Sequence, residues 1–364
     1  MKWRLVDAGE VNYLRSQGIY HGLGHAMSGN TPNTVVLCDP VGAYMCAGFF
    51  QDPRHELDLE YCKAAGLPVI RRETGGGTVY IDHNQLFVQW IFQPGILPPR
   101  VDQRFQWFIK PLVETYKFFG IDAYYHPVND VHVAGKKIVG TGAATIGNAD
   151  VVTGNFIFDF DFDKMTRALN VPDEYFRQWI KEGLDGFLTS IKKENGAVCR
   201  EELRAVYIEK CEEVLGVKLI PSNFTDREIA KMEEIEARFG EDDWLFGHTK
   251  PKVNDRLVKI HAGVWIGSME YEWEGSKVRV VTRLEDNIIS KMAISGQFEN
   301  PIVPQIDNLG DAMKGVKIEE KAVLERLTFF FQNHRSDQKD EWIAHLSQAI
   351  LKVKKEKNKM TGDG

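Results

Sequence analysis

The chain lacks a basic excess. Its 45 lysines and arginines are outnumbered by 52 aspartates and glutamates, giving a formal charge of −7 and a pI near 5.9, so its main task is not holding nucleic acid. It also lacks any apolar run approaching the ~20 residues of a membrane span, and its first residues carry no apolar core of signal-peptide length. A cytoplasmic location is therefore expected. Cysteine is sparse and unpatterned: Cys38, Cys46, Cys62, Cys199 and Cys211 are odd in number and form no C-x-x-C pair. That excludes a disulfide framework or a zinc finger and leaves reduced, mostly buried thiols. No internal repeat or low-complexity stretch is present.

What is there suits a soluble globular protein: 364 residues, 43% hydrophobic and 27% charged, enough for about two domains. Apolar runs at 34–38 and 43–50 read as buried strands, and 57–65 as a helix stopped by Gly66 and Pro68. A strong strand spans 86–92 and a strong amphipathic helix 105–119. Residues 11–30 suggest a helix broken at Gly22 to Gly24. Charged residues at 226–239 form a helix whose Glu233, Glu234 and Glu236 face solvent. After about 245 the texture changes to a hairpin around Glu274 and Gly275, a third strand at 288–294, and helices at 305–313, 319–332 and 341–355, with a frayed lysine-rich tail from Lys352. The expected architecture is α+β, a mixed sheet packed by helices at 1–217, a linker at 218–245, and a small α+β domain at 246–364.

Two stretches carry chemistry. The first is Arg71-Arg72-Glu73-Thr74-Gly75-Gly76-Gly77-Thr78-Val79-Tyr80-Ile81-Asp82, which reads as strand, glycine loop, strand. Three glycines clear side chains from a place where backbone passes close to something else, and such a loop can offer bare N–H groups to an anion. Neither a Walker Lys-Ser/Thr pair nor a spaced dinucleotide fingerprint accompanies it; a tight turn beside two solvated arginines is the plainer reading. The second stretch runs from Asn129 and Asp130 through Val131-His132-Val133 to Lys136 and Lys137, a hairpin whose two lysines leave on opposite faces of a strand. A lysine is a mobile point charge suited to phosphate oxygens. The Asn-Asp pair suits either a hard cation or an Asx turn. Together these parts match what ATP-driven activation of a carboxylic acid needs, with charge neutralised on the α-phosphate as pyrophosphate leaves.

Arg-Arg-x-Thr-Gly-Gly-Gly-x-Val-Tyr-x-Asp followed by Asn-Asp-Val-x-Val-x-Gly-Lys-Lys-Ile-x-Gly resembles the lipoate–protein ligase family of the biotin/lipoate ligase superfamily, from about Val35 to Asp161. A looser likeness to the C-terminal accessory domain of two-domain ligases continues past 240. The resemblance implies lipoyl-adenylate formation from lipoate and ATP with Mg²⁺, then transfer to a lysine of a carrier protein: a lipoyl domain, an H-protein, or another lipoate-binding protein. It implies Lys137 as the catalytic and ATP-contacting lysine, and Arg72, Gly75, Gly76, Gly77, Thr78, Val79 and Asp82 as the lipoate and adenylate contacts. Asn129 and Asp130 would meet the nucleotide, Asp130 nearest the metal. Ile81 and Thr153 stand where the family often has histidine. Alternatives are a cysteine-dependent octanoyl or lipoyl transferase of the same fold, for which no cysteine lies between Phe119 and Lys137, and a ligase-like binding protein without turnover.

Overall fold

The computed structural model describes residues 1–247, 255–273, 275–297, 306–332 and 339–361. The expected 274–275 turn and the start of the 305–313 helix fall on Glu274 and Gln305, outside the described residues. The chain divides into two units, residues 1–170 with 185–251 and residues 171–184 with 252–364. Among the described residues no helix is long and apolar enough to cross a membrane.

The first unit is built on a six-stranded mixed sheet. Its strands are β1 (Lys2–Val11), β2 (Thr34–Pro40), β6 (Gln85–Phe92), β10 (Thr141–Ile146), β11 (Ala149–Ile157) and β12 (Lys218–Pro221), in spatial order β10-β11-β6-β2-β1-β12. Every residue of β6 is buried, as its unbroken apolar run requires of a strand covered on both faces. One face packs on α1 (Tyr13–Ala26), capped by Asn12, whose side chain accepts from the Arg15 N–H; this core holds Val36, Cys38, Ile91 and Val151. The other packs on α2 (Val101–Phe118), which presents Phe105, Phe108, Ile109, Leu112 and Tyr116 at helical spacing to Leu37, Val88, Trp90 and Phe156. Two three-stranded sheets complete the unit. One joins β3 (Tyr44–Ala47), β4 (Val69–Arg71) and β5 (Val79–Ile81); the other joins β7 (Ala123–His126), β8 (Asp130–Val133) and β9 (Lys136–Val139). Helix α3 (Arg200–Leu215) ends at Gly216, whose φ of 64° suits glycine.

Three expectations need correction. Helix α1 runs unbroken through Gly18, Gly22 and Gly24, because those glycines are where neighbours approach. A Cβ on Gly22 would lie 2.8 Å from the backbone of Met232, and one on Gly24 would lie 2.9 Å from the Ile146 carbonyl oxygen. The stretch expected as a linker is part of the first unit. Its strand β12 pairs with β1, and α4 (Asp226–Phe239), closed by a Thr225–Glu228 capping box, lies on α1. There Glu228 receives both nitrogens of buried Arg4 at 3.0 and 2.5 Å, and Glu236, expected in solvent, accepts from Arg15 at 3.2 Å. The apolar side chains of Met232, Ile235 and Phe239 are what a linker reading overlooks; all three are buried.

The second unit is a four-stranded antiparallel meander, β13 (Arg256–His261), β14 (Val264–Trp273), β15 (Ser276–Glu285) and β16 (Ile288–Gln297). Trp265, Met269 and Trp273 pack with the buried faces of α6 (Glu320–Phe331) and α7 (Lys339–Thr361). The tail expected to fray is helical to Thr361. Buried Val353 holds it to the core, and Lys352 donates to the Glu270 carbonyl at 2.6 Å. Residues 171–184 also belong here: Glu182 pairs with Lys291 at 2.5 Å, and the Pro172 carbonyl accepts from Arg279 at 2.9 Å.

The α1–α4 contact gives a stability test. Gly22→Val forces branched carbon against backbone that no rotamer change can move, and lowers unfolding free energy by about 3 kcal/mol or more. Gly29→Ala, with open space around it, leaves the urea midpoint unchanged.

Candidate functional site

The turn between β4 and β5 holds the glycines, and its shape is set by Arg72. Strand alternation sends Arg71 and Arg72 to opposite sides. Arg71 is fully buried and donates to the Leu245 carbonyl at 2.7 and 3.0 Å. Arg72 folds back over its own loop, donating to the carbonyls of Gly75 at 2.7 Å and Gly77 at 2.8 Å, and to that of Cys46 at 3.0 Å. In a trans peptide the N–H points opposite to the carbonyl. Fixing the Gly75 and Gly77 carbonyls on the guanidinium therefore turns the N–H groups of Gly76 and Thr78 away from it. The Gly76 carbonyl oxygen packs against Gly48, where an added Cβ would lie 2.1 Å from it, so the Gly77 N–H faces away from Gly48 as well.

Gly76 has a φ of +91°, in the region that favours glycine. The three glycines are exposed, and among the described residues none of the three outward amides is hydrogen-bonded. The Thr78 hydroxyl is buried, with no hydrogen-bond partner among the described residues. Successive outward amides beside a guanidinium make an anion cradle.

Asp82 lies at the end of the second strand, just past β5. It is buried, accepts from Tyr80 at 3.2 Å and from the Asn84 N–H at 2.9 Å, and so shapes the turn after β5. Val79 is partly exposed at the strand start, opposite Cys46.

In the second hairpin the lysines separate as expected. Lys136 reaches the Asp185 carbonyl at 3.4 Å, whereas Lys137 forms an ion pair with Asp130 at 2.6 Å. The Lys137 backbone carbonyl accepts from Thr189 at 2.9 Å. Asn129 is tied to Thr141, whose hydroxyl accepts from its side chain at 3.1 Å and donates to its carbonyl. His132, opposite Lys137 in the ladder, is buried, stacks on His126 at 4.2 Å and lies 3.8 Å from Asp130. Burial, with His126 adding to it, pushes its imidazole below the usual range.

The undersides of the two hairpins enter different cores. Val131, Val133, Ile138 and Val139 join the α2 side of the large sheet, whereas Cys46, Ile70 and Ile81 join the α1 side. The donor set near Asp130 suits a hard cation held mainly by phosphate oxygens. Among the described residues no group of three or more His, Cys, Asp or Glu side chains could cage a metal on its own.

Sequence reading passed over the residues beneath the loop. His21 is buried in α1; its Nδ1 meets the Gln17 carbonyl at 2.7 Å and its Nε2 accepts the Glu73 N–H at 3.1 Å. A carbonyl only accepts, so Nδ1 carries the proton and Nε2 is bare. The Glu73 carboxylate meets His25 at 3.0 Å and Arg238 of α4. Burial opposes the Glu73 charge, but His21, His25 and Arg238 outweigh it and hold the carboxyl below its usual range. Burial lowers the His21 imidazole to about 4. No local signal marks this role, because one partner of His21 is a backbone carbonyl and the other, Glu73, lies 52 residues on.

The Lipoyl protein ligase A/B catalytic domain family matches residues 14–213. Lipoate-protein ligase A subunit 1 of Thermoplasma acidophilum is 26% identical over 217 residues, 57% of this chain and 82% of that protein. The octanoyltransferase LipM of Kyrpidia tusciae is 24% identical over 270 residues, 67% of this chain and 98% of that protein. The fold is similar to that of the bipartite lipoate protein ligase solved with its E2 lipoyl domain from Thermoplasma acidophilum. The TM-score is 0.63 at 23% identity, over 70% of this chain and 99% of that one.

Gly48→Ala displaces the Gly76 carbonyl and breaks the 3.0 Å bond from the Phe49 N–H to Thr74; the Phe49 amide then exchanges ~10-fold faster or more, and trypsin nicks after Arg72 sooner. Gly77→Ala, with open space around it, leaves both unchanged.

A second test is pH. The folded His21 resists a proton that the unfolded chain takes up, so its contribution is intact above the unfolded value of 6.5 and is lost as pH falls towards about 4. That loss is about 3 kcal/mol. Facing charges are Glu73, His25 and Arg238, and Glu73 acts in the same direction at lower pH. His21→Gln flattens the fall of the urea midpoint between these pH values.

Proposed function

The chain belongs to the lipoyl protein ligase A/B catalytic-domain family, and from that premise we propose that it is an ATP-dependent, AMP-forming lipoate–protein ligase. The observation carrying this reading is the glycine loop, with its carbonyls held by Arg72 and Gly48 and its N–H groups turned outward. Donors fixed before substrate arrives stabilise developing charge without reorganising.

In the proposed first step a carboxylate oxygen of lipoate attacks the α-phosphorus of ATP, the bond from that phosphorus to the α,β-bridging oxygen breaks, and pyrophosphate leaves with its β,γ bridge intact. The amides of Gly76, Gly77 and Thr78 hold phosphate or carboxylate oxygens. Lys137 exchanges Asp130 for the α-phosphate and carboxylate, where its ammonium offsets the charge that builds on the equatorial oxygens. A magnesium ion, bound mostly by phosphate oxygens with Asp130 as its protein carboxylate and Asn129 beside it, would neutralise the triphosphate. In the second step a carrier lysine amine attacks the acyl carbon and AMP departs. The carrier is a lipoyl domain or similar protein; the relative solved with its E2 lipoyl domain supports that choice. Arg72 and Asp82 serve here through the loop and the turn they hold, and Val79 lies at the loop's exit.

The transferase reading is favoured by the LipM relatives, which this chain covers almost entirely. It needs a thiolate. Burial pushes Cys62 up to about 11 and Cys211 up to about 12, and raises Cys38 and Cys46 as well, with Arg72 only partly offsetting the rise at Cys46. Cys199 is exposed and donates to Glu201 at 2.9 Å. None has the electropositive, accessible setting of a nucleophile.

Lipoate-dependent exchange of labelled pyrophosphate into ATP tests the choice. The ligase reading expects robust exchange, reduced ~10²–10³-fold or more by Lys137→Ala with the thermal midpoint retained. Absence of exchange together with octanoyl transfer between carriers sinks it in favour of the transferase.

A further inference from the structure

The loop is also held from beneath. The residues that hold it come from α1 and from the segment following residue 234, which the proposed chemistry does not use. Arg71, the last residue of β4, is gripped twice: its carbonyl accepts from the Trp244 indole at 2.9 Å, and its guanidinium donates to the Leu245 carbonyl. Both belong to the short helix α5 (Asp242–Phe246). Two residues on, Glu73 is gripped three ways: its N–H by His21, its carboxylate by His25 and by Arg238.

These holders support one another. The Arg238 guanidinium lies 4.4 Å over the Trp244 ring, Phe239 stacks on Trp244 at 5.5 Å, and the edge of Phe239 meets His21 at 4.9 Å. Arg71 and Glu73 flank Arg72, whose side chain in turn orients the glycine carbonyls.

We propose that His21, Arg238 and Trp244 form a clasp that sets where the glycine loop stands, with His21 the positioning residue that fixes its first peptide. The inference rests on the ligase reading and deepens it. Substrate meets the outward amides of Gly76 to Thr78, and those amides hang from Glu73. His21 suits the task because its protonated Nδ1 is committed to Gln17, leaving a bare acceptor at Nε2 in a place closed to water. The Glu73 N–H has no other acceptor among the described residues. Losing the imidazole releases the peptide that precedes the loop, so the amides spread over more positions and bind substrate and transition state alike more weakly. Such a loss belongs in KM more than in kcat.

The test uses the full chain and two readouts: pyrophosphate exchange over a range of lipoate and ATP concentrations, and the rate of tryptic nicking after Arg72 without substrate. His21→Leu is expected to raise KM ~10-fold or more with kcat held within ~3-fold, and to speed nicking. His21→Gln, whose Oε1 reaches the Nε2 position, returns both to within ~3-fold of the parent. Arg238→Met, at a side chain 37% exposed, shifts both in the same direction and carries the test if His21→Leu does not fold. Equal behaviour of the Leu and Gln variants, or an unchanged KM and nicking rate in Arg238→Met, overturns the clasp. If the parent chain shows no exchange, the ligase reading has failed, and the nicking rates alone decide whether the clasp holds the loop.

Discussion

A peptide whose carbonyl is fastened cannot turn its N–H, and the first unit uses that constraint where its chemistry is proposed to lie. Arg72 spends one nitrogen, Nη2, on the carbonyls of Gly75 and Gly77, and the missing Cβ of Gly48 admits the carbonyl between them. Three side-chain-free residues would otherwise sample many conformations. With the carbonyls held, their flexibility serves the sharp turn alone. The entropy of ordering the loop falls on folding, not on the arrival of substrate, and donors ordered in advance are what electrostatic stabilisation requires. Arginine rather than lysine stands at 72 because one nitrogen, Nη2, holds both glycine carbonyls while the other, Nη1, holds that of Cys46, and two donor nitrogens at a fixed angle are what a guanidinium supplies.

The sequence exposed the loop and hid its supports, for physical reasons. Glycine runs and adjacent cationic residues are local signals, so the glycine loop, the 131–139 hairpin and the buried strand 85–92 are readable from composition and alternation. The partner of an arginine is not local. Arg72 reads as a fork presented to a ligand, yet the structure turns it on backbone three and five residues ahead. Gly48 reads as the end of a strand, and its need to be glycine arises only when a carbonyl from residue 76 is laid against it. Gly22 and Gly24 read as breakers by propensity, whereas tertiary contact keeps the helix whole because Met232 and Ile146 come too close for a side chain. The same reason hid residues 218–247. Their charge suggested a solvated connector, while Met232, Ile235 and Phe239 form a buried stripe at helical spacing, and Arg4 waits 224 positions earlier in sequence for Glu228.

Family membership by itself leaves two chemistries open, since relatives similar to this chain include both a ligase and octanoyltransferases. The ligase proposal leans on desolvation. A thiolate acting as nucleophile needs a nearby cation and access to solvent. Cys38, Cys46 and Cys211 sit inside cores that favour the neutral thiol, and Arg72, the cation that meets Cys46, is already committed to three carbonyls. An ammonium under the same demand fares better, because Lys137 keeps about a fifth of its side chain exposed and retains a carboxylate partner.

That ion pair suits a group which must change partners. About four-fifths of each side chain in the Lys137–Asp130 pair is covered, and the Asp130 Oδ1 that meets the ammonium is itself buried, so solvent screens the pair only in part. On the proposed reading the more highly charged oxygens of a phosphate take the place of Asp130, because a largely covered ammonium left without a partner costs several kcal/mol, about 3–5. Arg4 and Glu228 show the contrast within the same unit: both are almost fully covered, joined through two nitrogens, and placed where β1 meets α4. The Arg4–Glu228 pair ties a strand to a helix, and the Lys137–Asp130 pair ties two strands of one hairpin while keeping a fifth of its surface in solvent.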